Sequence, residues 1–150
     1  MALTEQIQSD LTAAMKARDT ATTAALRGVV AAIRNARVAA GQSGDLTDEQ
    51  TVELLGREAK KRAEAAEAFE GAGRAEQAAK EHAELAVIRR YLPEPLDEAE
   101  LHAIVDEAIA TTGADGMGDL GQVMSAVMPQ VKGRADGKQV SALVRARLQA

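Results

Sequence analysis

The sequence predicts an all-α fold, and three observations carry that prediction. Apolar residues recur at spacings of three and four along most of the chain, the period of a helix face rather than of a strand. Strand signals are missing: no alternating apolar–polar runs flank an Asn-Gly or Asp-Gly turn, and Asp136-Gly137 leads into a helical pattern instead. Aromatic residues make up 1% of the 150, one Phe, one Tyr and no Trp. A core must then be built from Ala, Leu, Val, Ile and Met, small side chains that let helices approach closely but bury little area each.

Seven helices are expected. The first carries Leu3, Ile7, Leu11 and Met15 at i, i+4. The second carries Leu26, Val29, Val30 and Ile33 and is closed by Gly41, with the turn Gln42-Ser43-Gly44-Asp45 after it. The third opens at Thr47 with Gln50 three residues on, the pattern of a capping box. Its stripe is Val52, Leu55, Ala59, Ala66 and Phe69, and Gly71-Ala72-Gly73 ends it. The fourth runs to about Tyr91 with Leu85, Ile88 and Leu92 inward. Leu92-Pro93-Glu94-Pro95 is the sharpest break, because two prolines in three residues stop a helix and stiffen the joint. A domain boundary is expected there, between 1–92 and 93–150. Asp97 with Glu100 opens a fifth helix through Leu101, Ile104, Val105, Ala108 and Ile109. Gly113 to Gly118 reads as a loop. Asp119 with Gln122 opens a sixth through Val123, Met124 and Val127, stopping near Pro129. Asp136 with Gln139 opens the last, with Val140, Leu143, Val144 and Leu148 inward. The expected fold is a four-helix N-terminal domain followed by a small three-helix C-terminal domain.

Several chemistries find no support. Without Cys there is no disulfide, Cys-ligated zinc, iron–sulfur cluster or thiol nucleophile. His82 and His102 are the only histidines. Glu98 and His102 share a helix face, but the repeated Glu-x-x-His pairs of a di-iron bundle are missing, so no metal or other cofactor is expected. Ser9, Ser43, Ser125 and Ser141 have no nearby His and no nucleophile-elbow pattern. Gly116-Met117-Gly118-Asp119-Leu120-Gly121 has the spacing of a dinucleotide loop, yet follows a helix where that chemistry needs a strand. Gly133 to Gln139 looks like a phosphate-binding loop but is one residue short, with Gln in place of Ser or Thr. Arg57, Lys60, Lys61 and Arg62, interleaved with Glu53, Glu58, Glu64 and Glu67, read as a solvated face with pairs such as Glu53–Arg57 and Glu58–Arg62. Glu81 and Glu84 read as an acidic face. No catalytic constellation emerges. The start, Met1 to Glu5, lacks signal-peptide character, and no run approaches roughly 18 apolar residues. A soluble cytoplasmic protein with no membrane contact is expected.

The net charge is −5, unevenly spread: residues 120–150 carry +4 and the rest −9. Lys132, Arg134 and Lys138 surround Gly133 and Gly137 just before the last helix. Glycines allow close approach of the backbone, and a helix N-terminus favours anions, so phosphate oxygens suit this segment. Arg145 and Arg147 extend the charge. The competing reading makes Lys132 and Arg134 solvated loop residues and Arg145 and Arg147 complements of the helix C-terminal dipole. Asp136, as the cap, also occupies part of the anion site. With no aromatic side chain in this region, RNA would be held by phosphates and shape rather than by stacked bases.

Asp10 through Asp19, Leu26-Arg27, Tyr91-Leu92-Pro93, and Met124 through Pro129 and on to Lys138 resemble the YqeY family over essentially the whole chain. The resemblance implies a C-terminal three-helix domain of the type shared with the tail of GatB, the B subunit of the tRNA-dependent amidotransferase, and with some glutaminyl-tRNA synthetases. There it is implicated in holding tRNA. It does not imply catalysis, since GatB's kinase-like and transamidation residues lie in a large domain not present in this chain; a label of glutamine-dependent carbon–nitrogen ligase would come from the shared tail alone. The expectation is a non-catalytic accessory protein for tRNA or other structured RNA, contacting it through Lys132, Gly133, Arg134, Gly137, Lys138, Arg145 and Arg147. The alternative is a helical interaction module for an aminoacyl-tRNA synthetase or amidotransferase subunit. In that reading Met117, Met124 and Met128 offer an adaptable apolar groove instead of packing into the core.

Overall fold

The computed structural model describes residues 1–150 and contains seven α-helices, one 3-10 turn and no strand. The helices are α1 (Leu3–Lys16), α2 (Thr20–Ala39), α3 (Asp48–Gly71), α4 (Ala75–Arg89), α5 (Glu98–Thr112), α6 (Leu120–Val131) and α7 (Gly137–Gln149), with the 3-10 turn at Met117–Asp119. The chain divides into two compact units, Met1–Leu92 and Pro93–Ala150.

In the first unit α3 packs chiefly on α4, and α2 on α1 and α4. Ile7, Leu11, Leu26, Val29, Leu54, Leu55, Val87 and Ile88 form its core. Thr47 caps α3 as expected: its hydroxyl accepts from the Gln50 amide at 3.1 Å, and the Gln50 side chain accepts from the Thr47 amide at 2.9 Å. The stripe of α1 differs from expectation at its end. Met15 is 42% exposed and Ala14 is buried instead. Each i, i+4 step overshoots a full turn, so Met15 stands about 80° from Ile7 while Ala14 stands about 20° from it. Asp19 caps α2, accepting from the Thr22 hydroxyl at 2.7 Å and the Thr22 amide at 3.1 Å. Those two bonds, the hydroxyl's first, hold the Asp19 carboxyl below the usual carboxylate range, with Arg90 adding a weaker pull. The Tyr91 hydroxyl donates to Asp10 at 2.6 Å. Burial first, and then this bond and the Asp10 charge, push the phenol well above its ordinary pKa.

The basic run on α3 is not simply a solvated face. Glu58 and Arg62 do pair, at 3.9 Å, but the Arg62 guanidinium also crosses to Glu81 at 3.1 Å and Glu84 at 3.4 Å on α4. The three carboxylates are 14–15% exposed, so this is a half-buried ionic clasp between α3 and α4.

In the second unit, Leu101, Val105, Val123, Val127, Val131, Val140, Val144 and Leu148 form a separate core. Asp97 and Glu100 close the expected capping box on α5. Gly113 ends that helix in the left-handed region at φ 68°, a conformation that favours glycine. Two expectations fail at α6. Asp119 does not cap it, because its carboxylate accepts from the Asp115 amide at 3.1 Å and so closes the preceding loop. Pro129 does not stop it either. Pro129 lacks only the N–H that would reach Ser125, and α6 runs on to bury Val131 before ending.

Candidate nucleic-acid interface

The basic loop joins α6 to α7, and its shape follows from its local bonds. The Lys132 amide donates to Met128 at 3.0 Å, and the Arg134 and Ala135 amides both donate to the Val131 carbonyl, at 2.8 and 3.0 Å. Gly133 makes this reversal possible at φ 76°, in the left-handed region. Gly137 plays a different part. It is the first residue of α7, its φ is not positive, and a Cβ there would meet nothing within 4 Å. No steric demand of the fold requires glycine at that position.

Arg134 ties the loop to the segment entering α5. Its Nε donates to the Glu94 carbonyl at 3.0 Å, and its own carbonyl accepts from the Leu96 amide at 2.9 Å. The guanidinium is thereby positioned through its Nε. Lys132 and Lys138 are exposed on either side. Asp136 caps α7 by accepting from the Lys138 amide at 3.2 Å, one residue earlier than the expected Gln139, so a carboxylate does occupy part of the helix N-terminus.

The two C-terminal arginines part company. Arg145 is exposed, seven residues after Lys138 and therefore on its side of α7, with Nε at 3.4 Å from the Ser141 hydroxyl. Arg147, nine residues after Lys138, faces about 180° away. It is engaged with α5: its guanidinium reaches Asp106 at 3.1 Å and the His102 ring at 2.8 Å. The structure thus places Lys132, Gly133 and Arg134 in the loop and Lys138 in the first turn of α7, aligns Arg145 with Lys138, and leaves Arg147 as a clamp between α5 and α7. The Arg147 ties lie 41 and 45 residues away in the chain and have no local signature.

Met124 and Met128 pack against the core of this unit, while Met117 is 37% exposed. His82 is paired with Glu70, and no cluster of His, Asp or Glu is arranged to hold a metal ion. No helix is long and apolar enough to cross a membrane.

Comparison with known proteins gives two findings. A family described as Yqey-like protein matches residues 4–148. A curated relative, the E subunit of the glutamyl-tRNA(Gln) amidotransferase of Thermococcus gammatolerans, is 45% identical over 58 residues, which is 36% of this chain and 9% of that protein. The chain therefore spans less than a tenth of the relative it matches.

Proposed function

The chain belongs to the YqeY family, and from that premise we propose that it is a non-catalytic accessory protein that grips the phosphate backbone of structured RNA, tRNA first among candidates. The observation that carries this reading is the α6–α7 loop: exposed Lys132 and Lys138 flank an Arg134 that is held in place through Glu94 and Leu96. A hydrogen-bonded loop with exposed cations on either side suits phosphate contacts, which position a nucleic acid without reading its bases. The relative's printed name, an amidotransferase for glutamyl-tRNA(Gln), makes tRNA the natural class of partner and an amidotransferase or synthetase subunit the natural company. In the cell such a protein would work in the cytoplasm, beside the translation machinery. Catalysis forms no part of the proposal, because the shared stretch is 9% of the relative.

The test is a salt titration of tRNA binding. Lys132, Arg134, Lys138 and Arg145 offer about four phosphate contacts, so log affinity should fall against log salt with a slope of roughly −3 to −4. Lys132→Ala/Lys138→Ala should flatten that slope by about 2. Equal, salt-independent binding by wild type and variant would remove the loop from the mechanism.

A further inference from the structure

The first unit has a basic face of its own. α2 contains Arg27, Arg34 and Arg37 and no acidic residue. Arg27 and Arg34 are seven residues apart and so lie on one side of the helix, about 10 Å from each other along its axis. On α1, Thr4, Gln8, Thr12 and Lys16 repeat every four residues and form a polar ridge. Between the two helices lies an open groove of about 510 Å³, lined by Thr4, Gln8 and Thr12 on one wall and Val30, Ile33 and Arg34 on the other.

The cations in and beside this groove differ in how they are held: Arg34 and Arg37 line it, while Lys16 and Arg27 lie outside its lining, at the Met15 end of the helix pair. Arg37 is committed: it donates to the Gly44 and Ser43 carbonyls and pairs with Asp45 at 3.2 Å, neutralising the acid at that rim. Lys16, Arg27 and Arg34 are exposed and enter no ion pair. Arg27 has one contact, Nη2 at 3.5 Å from the Met15 sulfur, a weak acceptor that leaves the charge uncompensated. That contact also brings the Lys16 end of α1 beside the Arg27 end of the row. At the corner, Arg18 is held at φ 58°, a left-handed conformation where glycine is less strained.

We propose that the α1–α2 groove, with the Lys16–Arg27 corner beside it, is a second seat for sugar–phosphate backbone, with Lys16, Arg27 and Arg34 on phosphates and the Gln8 amide bonding between them. It rests on the RNA reading above. The spacing of the cations favours a strand over a lone anion: two guanidiniums about 10 Å apart along an axis do not converge on one phosphate. Arg, Lys, Thr and Gln are the side chains that contact backbone oxygens. The apolar floor of Val30 and Ile33 offers no aromatic surface for stacking a base. Glu5 lies on the α1 wall next to Thr4, so that end suits a sugar hydroxyl rather than a phosphate.

The experiment compares full-length wild type, Arg27→Gln/Arg34→Gln and Lys132→Ala/Lys138→Ala, binding labelled tRNA between 50 and 200 mM salt (about the range over which phosphate contacts are resolved), with helicity and melting checked by circular dichroism. All four positions are exposed, so folding should be unaffected. The inference predicts that Arg27→Gln/Arg34→Gln binds about 10-fold more weakly with a slope reduced by about 2. If both variants weaken binding, groove and loop both stand. If only the groove variant does, the inference stands and the loop reading falls. If only the loop variant does, the inference is overturned and the loop reading stands. If neither does, both fall. Inorganic phosphate is the control for a free-anion site: displacement of tRNA beyond that by chloride at equal ionic strength, lost in Arg27→Gln/Arg34→Gln, would overturn the strand proposal.

Discussion

Arg134 and Arg147 are alike in sequence and differ in what holds them. Arg134 spends its Nε on the Glu94 carbonyl, and Arg147 spends its guanidinium on Asp106 and His102. Arg147→Ala is therefore expected to lower the melting temperature slightly while leaving the salt slope of RNA binding unchanged. A slope reduced by about 1 would put Arg147 on the RNA after all. Arg134→Ala should destabilise the protein more than Lys138→Ala, because it also removes the link to the segment entering α5. Asp19 provides a pH signature. Its carboxyl is depressed in the folded state by Thr22, so its stabilising effect is present above the unfolded pKa of about 3.9 and is lost as pH falls toward the folded value. Urea midpoints of wild type and Asp19→Asn should differ at pH 7 and converge below about pH 4; a constant gap would contradict the capping account. Of these details only the local ones were legible in the sequence. Thr47–Gln50 and Asp97–Glu100 are visible because both partners lie in one turn. Asp119–Gln122 has the same pattern, yet the Asp115 amide claims its carboxylate.

Among the elements, the seven helices follow from apolar spacing together with capping pairs, glycine ends and the Pro93–Pro95 break, and the stripes hold best over a turn or two. They drift where i, i+4 is extended too far, as at Met15, and they miss Leu54, whose burial depends on α3 packing in the first core. Pairing on α3 was half legible. The i, i+4 pair Glu58–Arg62 is there, but Glu81 and Glu84 lie 19 and 22 residues from Arg62, beyond any local pattern. Arg62→Ala strands three half-buried carboxylates and should cost about 1–2 kcal/mol in urea unfolding, less than for a fully buried group because Arg62 is 32% exposed. A neutral result would make the clasp a solvated network. Leu55, fully buried in the first core, should cost about 2–5 kcal/mol when cut to Ala.

Across the whole molecule the charge pattern matters most. Residues 93–119 hold eight acids and no Lys or Arg, so the basic loop and Arg145 sit in a unit that is net negative. That background should keep stand-alone RNA affinity weak and steeply salt-dependent. The proline-bearing stretch after Leu92 supports reading 1–92 and 93–150 as separate domains, a proposal that a chain limited to 93–150 tests by keeping or losing a cooperative melt. The loop itself was legible as a cluster of cations and glycines, but the sequence did not reveal which cations the fold ties down. Backbone amide shifts on titration with tRNA give the most direct test of what this protein grips. The account predicts the largest shifts at Lys132 through Gln139. Shifts centred on Met117, Met124 and Met128, with that loop unmoved, would contradict it.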